Sequence, residues 1–239
     1  MYINNKALKH SLFSKYNEGF SLSDEISRIL SAIEKAVLVE VSHDYSLPPN
    51  KIWVTEIAGC LRQAFFNRIM LREKGVGIAY SILRGRFFHE VISKNLPIGI
   101  TEHSSRTRIK KLKTGYEEIE LRGRADIVAG SYVIDLKTSD RAPKEPLKEH
   151  INQIQLYMFL YEKNKGALVY LTKDGLVYFI IERDENLIQR LIEKAKALSK
   201  ALRENRLPDG EVGPWCKWCP WAHPKYCREG AAATTTDKT

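Results

Sequence analysis

Residues 123–140 read GRADIVAGSYVIDLKTSD, two short apolar runs around a Gly130-Ser131 pair, each run carrying one acidic residue. Runs rich in Ile, Val and Tyr that flank two small residues signal a β-hairpin with a tight primed turn. With Gly130 and Ser131 as the loop, Ala129 pairs with Tyr132, Val128 with Val133, and Asp126 falls opposite Asp135. Like charges facing each other across a ladder are destabilising. The arrangement makes sense if a divalent cation lies between the carboxylates, because hard oxygen ligands then share an ion instead of repelling one another. Period-two alternation sets Lys137 on the face of Asp135 and directs Ile134 and Leu136 into the core. An ammonium beside a metal and a phosphate orients or helps deprotonate an attacking water and offsets charge in the transition state. Asp126, Asp135 and Lys137 together describe metal-assisted hydrolysis. For an isolated D-x-K an exposed strand-end salt bridge is the better reading. Here the flanking strand residues are apolar, and a buried face does not tolerate three uncompensated charges.

A second group of chemically competent residues is Cys60, Cys216, Cys219 and Cys227. Cys216 and Cys219 form a C-x2-C, a spacing that points two thiolates at one metal, and Cys227 follows closely. Three local ligands leave one place, which Cys60 closes only through the fold. Zinc held by four cysteines fits this set, with His223 a further candidate ligand. Unbound thiols are a poor reading, since a segment with so little regular structure needs a cross-link. Trp215, Trp218 and Trp221 surround the C-x2-C; they are read as shielding and packing it rather than as substrate contacts.

The elements that must position these groups follow from periodicity. Residues 20–40 read as an amphipathic helix capped near Ser23, ended by Pro48-Pro49. VTEIAGCLRQAFFNRIML reads as one helix with Thr55 as N-cap and Cys60 near its start. AYSILRGRFFHEVISKNL is a further helix that carries His89. From 105 to 137 the period becomes that of strands, and EPLKEHINQIQLYMFLYEKN returns to helix with Gln153 and Tyr157 on one face. A hairpin turning at Asp174-Gly175 and a helix over 184–205 with an Ile188, Leu191, Ile192, Ala195, Leu198 stripe complete the core. The order predicts an α/β fold with an N-terminal helical region.

The 239 residues are 44% hydrophobic, enough for a packed core, and 38 Lys and Arg against 29 Asp and Glu give a formal charge of +9. That balance favours a polyanionic partner such as nucleic acid, with RTRIKKLK at 106–113, Arg122 and Arg124 as backbone contacts. No stretch approaches the roughly 20 apolar residues that span a bilayer, and no export signal precedes the chain, so a cytoplasmic protein with reduced thiols is expected.

GRADIV followed by DLK resembles the PD-(D/E)xK nuclease superfamily, in which an acidic residue on one strand and a (D/E)-x-K triplet on the next hold the catalytic metal. Gln153-x3-Tyr157 and His89 match its RecB-like branch, and one cysteine before three makes the chain most similar to the CRISPR-associated Cas-four nucleases. The joint order of these motifs, over residues 53–227, carries the resemblance. It implies a restriction-endonuclease-like core, a mixed central sheet flanked by helices, over 51–229, behind an N-terminal helical extension (1–50) and before a disordered tail (230–239). It also implies that His89, Asp126, Asp135 and the Leu136 backbone carbonyl hold Mg or Mn, that Lys137 assists the water, and that Gln153 and Tyr157 position the phosphate or the adjoining strand. The four cysteines would hold a 4Fe-4S cluster, although residue chemistry alone does not separate this from zinc. The implied activity is DNA exonuclease action, on single-stranded or free ends, in CRISPR spacer acquisition, with the adaptation integrase proteins as partners. A RecB-like repair nuclease outside CRISPR and a non-catalytic nucleic-acid-binding module are the alternatives.

Overall fold

The structure is a computed structural model that describes residues 31–33, 47–70, 76–96, 107–115 and 117–235. The chain divides into two compact units, residues 1–43 with 73–87, and residues 44–72 with 88–239. The boundary thus falls at 43, and residues 73–87 group with the first unit. Of the N-terminal helix expected over 20–40, residues 31–33 are helical and the rest lies outside the described residues. Among the described residues no helix is long and apolar enough to cross a membrane.

The second unit is built on two sheets. β1 (Lys51–Trp53), β2 (Arg108–Thr114) and β3 (Glu117–Gly123) form a three-stranded sheet in the order β1-β3-β2, with β1 parallel and β2 antiparallel to β3. β4 (Ile127–Ala129), β5 (Tyr132–Thr138), β6 (Lys165–Thr172) and β7 (Gly175–Glu182) form the second in that order, parallel only between β5 and β6. The parallel pair needs a crossover. Helix α4 (Lys148–Tyr161) is that connection, following α1 (Val54–Ala58), α2 (Leu61–Ile69) and α3 (Val76–Asn95). Beyond β7 come α5 (Glu185–Glu204), a 3-10 turn (Pro214–Trp218) and α6 (Arg228–Thr235). The mixed α/β architecture is the one the sequence implies.

The hairpin register agrees with the turn chemistry: Val128 pairs with Val133 and Ala129 with Tyr132, and Gly130 takes a φ of +53° that a side chain would resist. Helix α4 is buried at Ile154, Leu156, Tyr157, Met158 and Leu160, so it is a core helix rather than a surface one. Helix α5 buries the expected stripe and is capped by Asp184, whose side chain accepts from the Leu187 N–H at 3.0 Å.

Three expectations are corrected. The stretch from Val54 to Ile69 is two helices, not one, because the chain breaks at Gly59 and Cys60. The break is held from afar: Asn152 Nδ2 donates to the Ala58 carbonyl at 2.8 Å and Lys194 Nζ to the Gly59 carbonyl at 2.7 Å. On β5 the face against α4 carries Val133, Asp135 and Lys137, whereas Ile134 is half-buried on the other. In the Ala-rich tail residues 228–235 are helical, as alanine's intrinsic preference favours, and 236–239 lie outside the described residues.

Candidate active site

The open end of the β4–β5 hairpin and the helices beside it bring together His89, Asp126, Asp135, Lys137, Gln153 and Tyr157. Asp126 lies just before β4, at the position that the ladder extends toward Asp135. Its Oδ2 accepts from the Leu136 N–H at 2.7 Å, and its Oδ1 lies 2.8 Å from His89 Nδ1 on α3. The other ring nitrogen, Nε2, lies 3.1 Å from the Leu136 carbonyl oxygen. Both partners of the ring accept, so the contacts favour the imidazolium, and the bond to Asp126 holds the His89 pKa above its usual value against the opposing effect of burial.

Asp135 is 3% exposed. Burial pushes its carboxyl up to about 6, the nearby Asp126 charge adds to the rise, and Lys137 works against it. The neighbouring charge of Asp126 is the carboxylate opposition that the hairpin implied. Lys137 Nζ stands 2.8 Å from Asp135 Oδ2 and donates to Gln153 Oε1 at 2.8 Å. Gln153 Nε2 donates to the Tyr157 hydroxyl at 2.9 Å and reaches Asp135 Oδ1 at 3.5 Å. Tyr157 is buried, and desolvation pushes its phenol well above the ordinary range, so it is a neutral hydroxyl. Its hydroxyl is engaged by Gln153, whose carbonyl in turn accepts from Lys137. Gly123 on β3 allows this packing, since a Cβ there would meet Leu160 at 2.6 Å, Val54 at 2.9 Å and Tyr157 at 3.0 Å.

The donors suit a hard divalent cation: two carboxylates, an imidazole and a carbonyl. Asp135 Oδ2 is buried and has the Lys137 ammonium beside it but no aligned hydrogen bond, leaving its lone pairs available to a cation. Among the described residues no three His, Cys, Asp or Glu side chains are grouped as a metal cage; the donors are paired with one another instead.

The cysteines converge from both ends of the unit. Cys60 is the N-cap of α2 and its Sγ accepts from the Glu211 N–H at 3.4 Å. Burial raises the Cys219 thiol, and Cys60 and Cys216 are near enough to raise it further. Cys227 Sγ lies 3.6 Å from Nη1 of Arg62, two residues after Cys60. None of the four is in a disulfide. Trp221 docks the segment on α2 by stacking on Phe66 at 5.3 Å and donating to Asn67 Oδ1 at 2.8 Å. His223 is exposed and its Nδ1 accepts from the Lys225 N–H at 3.2 Å.

Sequence reasoning missed Glu149 and His150, which line one cleft with Lys137 and Gln153. Burial raises Glu149 and pushes His150 down to about 3, so His150 is neutral, its Nδ1 2.8 Å from the Tyr170 hydroxyl. The i, i+3 spacing of His150 and Gln153 on α4 was the available signal.

Residues 43–228 match the family model of the PD-(D/E)XK nuclease superfamily. The chain is 28% identical over 180 residues to the CRISPR-associated exonuclease Cas4 of Saccharolobus solfataricus, covering 71% of this chain and 84% of that one. It is also similar to the crystal structure of SSO0001, with a TM-score of 0.64 and 26% identity over 83% of this chain and 98% of that one.

Proposed function

Since the chain belongs to the PD-(D/E)XK nuclease superfamily and is a nuclease of Cas4 type, we propose that it is a metal-dependent DNA exonuclease that trims single-stranded ends during CRISPR spacer acquisition. The observation that carries the reading is the convergence of His89, Asp126, the Leu136 carbonyl, Asp135 and Lys137 on one end of a hairpin. His89, Asp126, Asp135 and the Leu136 carbonyl would hold Mg or Mn, which supplies Lewis acidity at the scissile phosphate.

The chain's own residues do the rest. Asp135 ionises reluctantly in its buried place, so its carboxylate is a strong ligand for a cation and a costly group without one. Lys137, fixed by Gln153 and Asp135, presents an ammonium that orients the attacking water and offsets charge on the phosphate. Tyr157 keeps the Gln153 amide in the orientation that faces its carbonyl to Lys137. Arg124 is exposed and suits a phosphate contact, while Arg122 is engaged by Glu120 at 2.8 Å.

We take Cys60, Cys216, Cys219 and Cys227 as ligands of a 4Fe-4S cluster that staples α2 to the C-terminal segment. Four thiolates suffice for it, and the mutual influence of Cys60, Cys216 and Cys219 supports a shared site. The curated relative is by name a CRISPR-associated exonuclease, which supports nucleic-acid ends as substrate; the adaptation integrase proteins are the partners this reading calls for. The test is incubation of end-labelled single-stranded and blunt duplex DNA with Mn or with EDTA. Shortening of the single strand from its end in Mn alone is expected. Binding without metal-dependent cleavage would instead identify a non-catalytic DNA-binding module.

A further inference from the structure

The hydrolytic site and the cysteine-bearing segment share one cleft of about 730 Å³. Thr55 to Gln63, Glu145 to Gln153 and Val212 to Trp218 contribute its walls, with Lys137 also lining it. Its volume falls in the range that seats nucleotide-sized ligands. The three tryptophans of the segment differ sharply in their use. Trp221 is buried against Phe66, and the half-buried Trp215 donates its Nε1–H to the Glu211 carbonyl at 3.1 Å. Trp218 is 78% exposed while lining the cleft with Lys137 and Gln153. An indole carries more apolar surface than any other side chain, and leaving it in water beside a polar, lysine-bearing cleft forfeits the burial its neighbours achieve.

We propose that Trp218 is a stacking platform for an unpaired base of the DNA strand whose phosphate is hydrolysed at Lys137. The proposal rests on the reading of the chain as a nuclease of single-stranded ends and assigns a residue to that preference. A base in duplex is already paired and stacked on both faces, so only an unpaired one can lie on the indole. Stacking is also tolerant of sequence, because every base has a π-face, and it suits trimming of ends without a sequence requirement. Lys148 on the same wall supplies a cation for the backbone. The Tyr170 hydroxyl accepts from the Leu147 N–H at 3.4 Å and engages His150 Nδ1, which holds the imidazole in the same cleft wall. Trp218 is thus a positioning residue for the strand, outside the hydrolytic chemistry.

The test uses the full chain with Ca in place of Mn, so that binding is read without cleavage, and short thymidine oligomers with a single abasic site scanned along the strand. In the wild type, binding is expected to quench tryptophan emission, and one abasic position should weaken affinity by roughly tenfold. Trp218→Leu should lose the quench, bind about tenfold more weakly and no longer sense that abasic position, with melting temperature and metal content unchanged; Trp218→Tyr should restore most of the affinity. With Mn, the Leu variant should raise KM on single strands while keeping kcat. Wild-type affinity and abasic sensitivity in Trp218→Leu would overturn the proposal while leaving the single-strand reading intact. Failure of the wild type to bind or trim single strands would overturn both.

Discussion

Asp135 is where the chemistry and the fold conflict, and the conflict has a pH signature. Its carboxyl is raised from the usual 3.8 to about 6, so the stability associated with its neutral form is complete below about pH 4 and is lost as pH rises through about 6. The His89 imidazolium, also raised, acts in the same direction at higher pH. A cation that replaces these protons should therefore stabilise the protein more at about pH 8 than at about pH 5. Thermal melts with and without Mn across that range check this, and Asp126→Asn should shrink the Mn-induced gain by removing half of the shared ligand pair. At Tyr157 the expected effect is smaller. Tyr157→Phe keeps the buried ring but removes the hydroxyl that holds Gln153, and should lower kcat by roughly tenfold with little change in KM, a loss of positioning rather than of a reacting group. Asp126, Asp135 and Lys137 were legible in the sequence because charged types stand out in apolar strands, whereas His89, Gln153 and Tyr157, on helices, were found through the family resemblance. Their partners were less legible. That Tyr157 reaches Gln153 and not solvent depends on Gly123 admitting the ring, a contact between elements with no local signature.

At the scale of elements, the tight turn at Gly130 fixes the hairpin register, and register alone sets Asp126 beside Asp135. Strand and helix identities followed from periodicity, but two features of the site did not. The face of β5 that meets α4 could not be chosen, because a strand paired in parallel and covered on both sides has apolar residues on both faces. The break at Gly59 was hidden within a continuous helical pattern, since its carbonyls are satisfied by Asn152 and Lys194 from distant helices. That break turns Cys60 into a helix cap facing the C-terminal segment. Helix α4 binds these elements together, and its approach to β3 leaves no room for a methyl group at Gly123. Gly123→Ala should cost about 1–3 kcal/mol through overpacking and lower activity by displacing Tyr157 and Leu160. Denaturant unfolding and a cleavage assay on the same preparation check both.

Across the whole second unit, the proposed cluster would have the cysteines close a loop from α2 to the C-terminal segment, and cross-links over long loops restrict the unfolded chain most. Cys60→Ala should give poorly metal-loaded protein with a lower melting temperature, although the Trp221–Phe66 stack and the Arg62–Glu229 ion pair at 2.6 Å keep part of the segment docked. About four irons per chain in the wild type supports the cluster, and zinc in its place would reassign the metal without removing the staple. The distance in sequence between Cys60 and Cys216, Cys219 and Cys227 is the reason that no local motif joined them: Cys60 was reached as the remaining cysteine, and the resemblance supplied the cluster. The central claim, that Asp126 and Asp135 share a cation that drives phosphodiester hydrolysis, is tested most directly by the single-turnover rate of Mn-dependent DNA cleavage in Asp135→Ala, whose removal of a hydrolytic ligand is expected to cost about 10³-fold or more while DNA binding is retained. A rate equal to that of the wild type would contradict it.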